Sequence, residues 1–278
     1  MRKRYLLAPL AGIAVLAAGC GGSSNENQGA AKKPPVASTP APSQMMPTVD
    51  TGAKLTVRSP APGTVVTGNQ VPFRVRLSNF KVDCRFAGTP NRKGVGHYHV
   101  MLDGALINMF CSDSDDVSLQ NVKPGGHELA FVPAVDDHTD DLKAEKKVSF
   151  TFKPKAAPKP IEAEGSPGKP SIRILSPKDG ATVHGGFDLR VAPRNFEFSC
   201  ALYGKPNVAG YGHWHANVDS TTKGMMGMGT MLGMSCERSF HVSLAGISPG
   251  KHTFYAILED NQHAPTPKAQ DSVTLNVR

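Results

Sequence analysis

The sequence predicts an all-β protein: two tandem β-sandwich domains after a signal peptide and a disordered tether. Three observations carry this. Short runs alternate apolar and polar residues, as half-buried strands require. No segment keeps a 3.6-residue apolar period for three turns. One unit occurs twice, over residues 54–153 and 171–278: Ser59-Pro60, Asn79-Phe80, Cys84 and Pro90-Asn91 return as Ser176-Pro177, Asn195-Phe196, Cys200 and Pro206-Asn207.

The amino end comes first. Arg2, Lys3 and Arg4 precede a short apolar run, Leu6 to Ala18, interrupted by Pro9. It is too short for a mature membrane span and reads as a cleaved signal over residues 1–19. The run closes Leu16-Ala17-Ala18-Gly19-Cys20. This resembles the lipobox of bacterial lipoproteins, with Leu16 one position further back than usual. The resemblance implies lipidation of Cys20 and export to the extracytoplasmic face of a bacterial membrane. Residues 20–53 are rich in Gly, Ser, Asn, Ala and Pro and read as a disordered tether. The formal charge is +8, spread over tails and linkers without aromatic residues interleaved, so nucleic acid is not an expected partner.

Within the first unit Val71, Phe73, Val75 and Leu77 alternate with polar residues, as do Val148, Phe150 and Phe152; Val273, Leu275 and Val277 do the same in the second. Leu129 to Val135 and Phe254 to Leu258 are apolar on both phases, as in central strands, although Pro133 interrupts the first. About seven or eight such runs per unit match a sandwich of immunoglobulin type. The motif Val/Ile-x-Pro-Gly-x-His at Val122–His127 and Ile247–His252 resembles bacterial immunoglobulin-like and fibronectin-type-III-like envelope domains. That resemblance implies binding, spacing or adhesion modules. Residues 154–170, rich in Pro and Lys, read as a semi-stiff linker. From Cys111 onward the offset between copies rises from 116 to 125, which places a nine-residue insertion near Ser220–Thr230.

Four cysteines follow Cys20 and allow three pairings. The repeat selects Cys84 with Cys111 and Cys200 with Cys236. Strand phase places Cys84 beside Phe80 and Val82, and Cys111 beside Ile107 and Met109, so the thiols are expected to point inward.

Gly-His-Tyr-His-Val-Met-Leu-Asp at 96–103 returns as Gly-His-Trp-His-Ala-Asn-Val-Asp at 212–219. On a strand, Tyr98, Val100 and Leu102 share an apolar face, and His97, His99, Met101 and Asp103 share the other. Imidazoles at i and i+2 can reach one ion, and they also occur on plain polar faces. His138 or His263 could add a third nitrogen to His97/His99 or His213/His215, with Asp103 or Asp219 orienting a ligand. Met225, Met226 and Met228 lie in the inserted Gly224–Gly229 loop, where thioethers suit Cu(I); Met231 and Met234 read as core. The acidic runs Asp113, Asp115, Asp116 and Asp136, Asp137, Asp140, Asp141 read as solvated loops.

No Gly-x-Ser-x-Gly, His-Glu-x-x-His, Cys-x-x-Cys or Gly-rich phosphate loop is present, so the chain is not read as an enzyme. The first reading is a lipid-anchored envelope protein whose repeats form a non-catalytic binding or spacer module, with an envelope protein or polymer as partner. The alternative is an extracytoplasmic metal-binding protein, copper ahead of zinc.

Overall fold

The computed structural model describes residues 48–156, 158–164 and 168–278, apart from the side chains of Met225 and Met226. The signal segment 1–19, Cys20 and the tether up to Pro47 lie outside the described residues. The described residues form one compact unit.

In the first repeat, β1 (Lys54–Ser59), β3 (Gln70–Ser78) and β7 (Ser114–Ser118) form a three-stranded sheet in the order β1-β3-β7. The facing sheet runs β2 (Thr64–Val66), β9 (Lys146–Phe152), β8 (Gly125–Val135), β5 (Val95–Leu102) and β4 (Lys81–Val82), with β6 (Ala105–Phe110) also on β5. The second repeat reproduces this order. Its small sheet is β10 (Ser171–Ser176), β12 (Gly186–Arg194), β16 (Ser239–Ser243). Its large sheet is β11 (Thr182–Val183), β18 (Pro265–Val277), β17 (Gly250–Glu259), β14 (Tyr211–Val218) and β13 (Glu197–Phe198), with β15 (Met231–Ser235) on β14. Two facing sheets in this strand order make each repeat an immunoglobulin-type sandwich. No α-helix occurs among the described residues.

Alternation decides the cores. Tyr98, Val100 and Leu102 pack against Phe73, Phe131 and Phe150, and Trp214, Ala216 and Val218 against Phe187, Phe254 and Leu275. The buried polar tips find partners: Tyr98 Oη donates to Ser112 O (2.6 Å) and Trp214 Nε1 to Glu237 O (2.8 Å), as buried amphipathic aromatics require. Pro133 is accommodated within β8, opposite Tyr98. The ladder with β9 stops at Phe131, so the missing N–H leaves no acceptor unmet there.

The two repeats dock reciprocally. The 3-10 turn Cys84–Phe86 lies against β16, and its counterpart Cys200–Leu202 against β7. A Cβ on Gly88 would lie 2.7 Å from the Met231 backbone, and one on Gly204 2.5 Å from Leu106 O. Those contacts are equivalent in the two copies, so the docking has approximate two-fold symmetry. Met231 and Met234 are buried as expected, but they join the first repeat's core cluster. The connecting segment is fastened, since Asn121 exchanges hydrogen bonds with Ile161 and Gln120 Nε2 donates to Lys159 O.

Three expectations need correction. The disulfides are Cys84–Cys111 and Cys200–Cys236, but Cys111 and Cys200 are exposed, not inward. Strand β6 stops at Phe110 and β13 at Phe198, so strand phase does not carry through to Cys111 or Cys200. The tether does not extend to 53, because Val49 N donates to Asp140 O, and Thr51 N and Oγ1 both donate to Asp141 Oδ2. Nor is the second acidic run solvated throughout. Asp136 and Asp141 are buried, Asp136 against Arg92 and Asp141 against Thr51 and Ala144 N.

Each disulfide closes a loop, of separation 27 and 36 residues. In the chain-entropy account such closures contribute about 3–4 kcal/mol each. The bonds suit an oxidising, extracytoplasmic compartment. No helix among the described residues is long and apolar enough to cross a membrane.

Candidate metal centre

The outer face of β5 carries His97 and His99, and the outer face of β14 carries His213 and His215. Outer faces of sandwiches usually meet water, yet all four rings are buried, as are His138 and His263, none more than 4% exposed. The docked partner repeat supplies the cover. His138 Nε2 donates to Met231 O across the junction (2.8 Å), and His263 Nε2 donates to Leu106 O (2.9 Å). The face is therefore enclosed and not solvated.

Each strand pair gains its third ring from the loop after the central strand. In the first repeat, β8 ends at Val135 and the chain turns tightly, with Val135 N donating to Thr139 O and His138 N to Val135 O. His138 takes φ 64° and His263 φ 62°. This left-handed conformation is uncommon outside glycine, and histidine is among the residues that tolerate it best. The strain points the ring back toward the strand pair.

His97 Nε2 lies 3.1 Å from His99 Nε2, which lies 3.4 Å from His138 Nδ1. In the second repeat His213 Nε2 lies 3.0 Å from His215 Nε2 and 2.9 Å from His263 Nδ1, and the remaining edge is 3.4 Å. A tetrahedral ion with metal–nitrogen bonds of 2.0–2.1 Å sets its ligands about 3.3–3.4 Å apart. The second triangle and these two edges of the first run from 2.9 to 3.4 Å, at or somewhat below that size.

The outward hydrogen bonds fix the tautomers. Asp140 Oδ1 accepts from His99 Nδ1 at 2.8 Å, so in the neutral ring His99 Nε2 is a lone pair. Met231 O can only accept from His138 Nε2, so His138 Nδ1 is another. These lone pairs face each other with no hydrogen between them. His97 Nε2–H can donate to His99 Nε2 in the absence of an ion, and His97 Nδ1 then has no partner. In the second cluster Leu106 O fixes His263 in the same way and His213 Nδ1 is unpartnered, but His215 Nδ1 lies 3.7 Å from Glu259 Oε1, too far to set its tautomer.

Burial disfavours the charged form of an imidazole, and the neutral form is the one that ligates. Desolvation, then the neighbouring rings, hold His97, His213 and His215 well below the usual imidazole range. Burial likewise lowers His138 to about 3 and His263 to about 4. His138 acts on His215, and His99 on His263, so the two clusters are electrostatic neighbours across the junction.

The six predicted histidines therefore meet in two groups of three. The predicted orienting carboxylates do not join them. Asp103 and Asp219 accept instead from His127 Nδ1 and His252 Nδ1, at 2.7 and 2.6 Å, where the two histidines open β8 and β17. The carboxylates beside the clusters are ones that sequence reading missed. Asp140 serves His99, and Glu259 Oε1 lies 3.7 Å from His215 Nδ1. Burial and then Asp260 push Glu259 up to about 9. Aligned copies hold the signal: Asp140 matches Pro265, whereas Glu259 matches Ala134, so each repeat keeps one carboxylate from a different position.

The inserted segment is not a free loop. Met225–Thr230 forms a 3-10 helix. Asn217 Nδ2 donates to Gly227 O and Thr230 Oγ1 to Ser220 O, which closes the segment. Met228 is buried and borders a cavity of roughly 500 Å³ that His99, Met101, Asp140 and His263 also line.

No family model and no curated protein matches the chain. Among solved structures it is similar to the fibronectin(III)-like modules of Clostridium thermocellum CbhA, at 14% identity and TM-score 0.25, over 81% of this chain and 94% of that one. It is also similar to the central fibronectin-III array of RIM-binding protein, at 10% identity and TM-score 0.23, over 81% and 69%. The BSP domain of a biofilm-associated protein matches at 12% identity and TM-score 0.22, over 81% and 29%. Likenesses at this level carry no argument, and the immunoglobulin-type assignment rests on strand order alone.

Proposed function

We propose that the chain is a non-catalytic metal-binding protein of the bacterial cell envelope, anchored by a lipid on Cys20, with two tri-histidine sites enclosed between its repeats. The observation that supports this most lies in the first cluster. His99 Nε2 and His138 Nδ1 are both acceptors by their outward bonds, 3.4 Å apart in a buried site. A cation satisfies such a set, and the carbonyl and carboxylate partners are those that orient ligating histidines elsewhere. All-nitrogen sites accept copper or zinc, with thioethers nearby favouring copper. The broader reading, a binding or spacer module for an envelope protein or polymer, needs no ion.

Metal analysis of the purified chain separates the two. Two ions per chain are expected from the two clusters, retained through gel filtration. A folded chain that holds no copper or zinc after equilibration with either would leave the broader reading. The anchor is tested apart from the sites. Cys20→Ser should move the protein from the membrane fraction to the soluble one, and unchanged detergent-phase partition would refute lipidation.

A further inference from the structure

Each cluster uses three nitrogens, and one cavity borders both. Its walls include His99 of the first cluster and His263 of the second, together with Asp103, Asp140, Met101 and Met228. An ion entering there meets a ring of either site. The lining holds two carboxylates and no lysine or arginine, although the whole chain carries formal charge +8. The walls therefore favour a cation over an anion.

The two methionines come from opposite repeats. Met101 follows the His-x-His pair on β5, on the same face. Its counterpart on β14 is Asn217, whose amide is used to close the inserted segment. That segment delivers Met228, so the second repeat also supplies one thioether to the cavity, by a different route. Neutral thioethers bind soft monovalent copper well and hard or borderline divalent ions poorly.

We propose that this cavity is a Cu(I) entry site, in which the Met101 and Met228 sulfurs hold Cu(I) before it passes to the histidines. The proposal rests on the metal-binding reading of the two clusters and adds the ion, its oxidation state and a residue, Met101, outside them. Cu(I) exchanges thioether for imidazole ligands without a change in oxidation state, so no electron donor or acceptor is required.

The test uses the full chain with leucine at both positions, Met101→Leu with Met228→Leu. Leucine keeps the volume and apolar character and removes only sulfur. Uptake of Cu(I) from a chromophoric chelate is followed without oxygen, and uptake of Zn(II) from its own chelate is followed in parallel. The double variant is expected to take up Cu(I) about tenfold more slowly or more weakly, a change of about 1.4 kcal/mol if read as affinity. Zn(II) uptake should match the parent, which also reports an intact fold. Cu(I) uptake unchanged in the variant, or both ions affected equally, would assign the methionines to packing and overturn the entry site while leaving the histidine reading in place. A parent that takes up neither ion would overturn both.

Discussion

Alanine at both His97 and His99 is expected to lower the metal content of the chain from two ions to one, and alanine at His213 and His215 to remove the other. The clusters share no residue, so the losses should be independent. The first pair of changes leaves only His138 of its set. His138 still donates to Met231 O, which helps keep the repeats docked and the second cluster enclosed. Binding to the folded state alone adds stability with free ion concentration, about 2.7 kcal/mol at a hundred times the dissociation constant. A chelator should therefore lower the melting temperature of the parent most, of each double variant less, and of the fourfold variant not at all. Metal analysis and melting curves in one buffer read both effects. Equal metal content in parent and fourfold variant would place the ion elsewhere.

What was legible follows from the range of the forces involved. Strand alternation is local, so β3, β5, β9 and the faces of Tyr98 and Trp214 could be read directly. The internal repeat then gave the disulfide pairing without any knowledge of topology. Burial of the histidines was not legible, because it depends on one sandwich covering the other. That contact joins Met231 to His138 and Leu106 to His263, residues far apart in sequence with no periodic signature. A face of His97, His99 and Asp103 looks wet until the cover is known. The carboxylates were hidden for a related reason. Asp140 looked like one more loop acid, and Glu259 sat in an apolar run; neither has meaning before the outward nitrogen of His99 or His215 is placed. The inserted segment read as a loop, whereas Asn217 and Thr230 tie its backbone down. Strand phase misled where the strand had ended, at Cys111 and Cys200.

The glycine that opens each Gly-His-x-His motif leads to the other large expected effect. Gly212 and Gly96 do not take positive φ, so backbone freedom is not their reason. The reason is space. A Cβ on Gly212 would collide with the Glu259 carbonyl oxygen on β17 and lie 2.7 Å from Phe196 Cζ; on Gly96 it would meet Ala134 O and lie 2.9 Å from Phe80 Cζ. A phenyl ring can tilt, but a carbonyl in a strand ladder can yield only if the strand moves. Glu259 pairs with His213 in that ladder, so relief of the clash shifts a ligand and the carboxylate nearest His215 together. Gly212→Ala is expected to destabilise the chain toward the upper end of about 1–3 kcal/mol and to cost the second site its ion while the first keeps its own. Gly126→Ala is the control. Gly126 lies on β8 with no atom within 4 Å of an added Cβ and no positive φ, so the methyl should be neutral or stabilise by up to about 1 kcal/mol through the unfolded chain. Denaturant midpoints at constant slope give both values. Equal midpoints for Gly212→Ala and Gly126→Ala would show that β17 can give way, and the glycine would then owe its place to something other than the approach of that carbonyl.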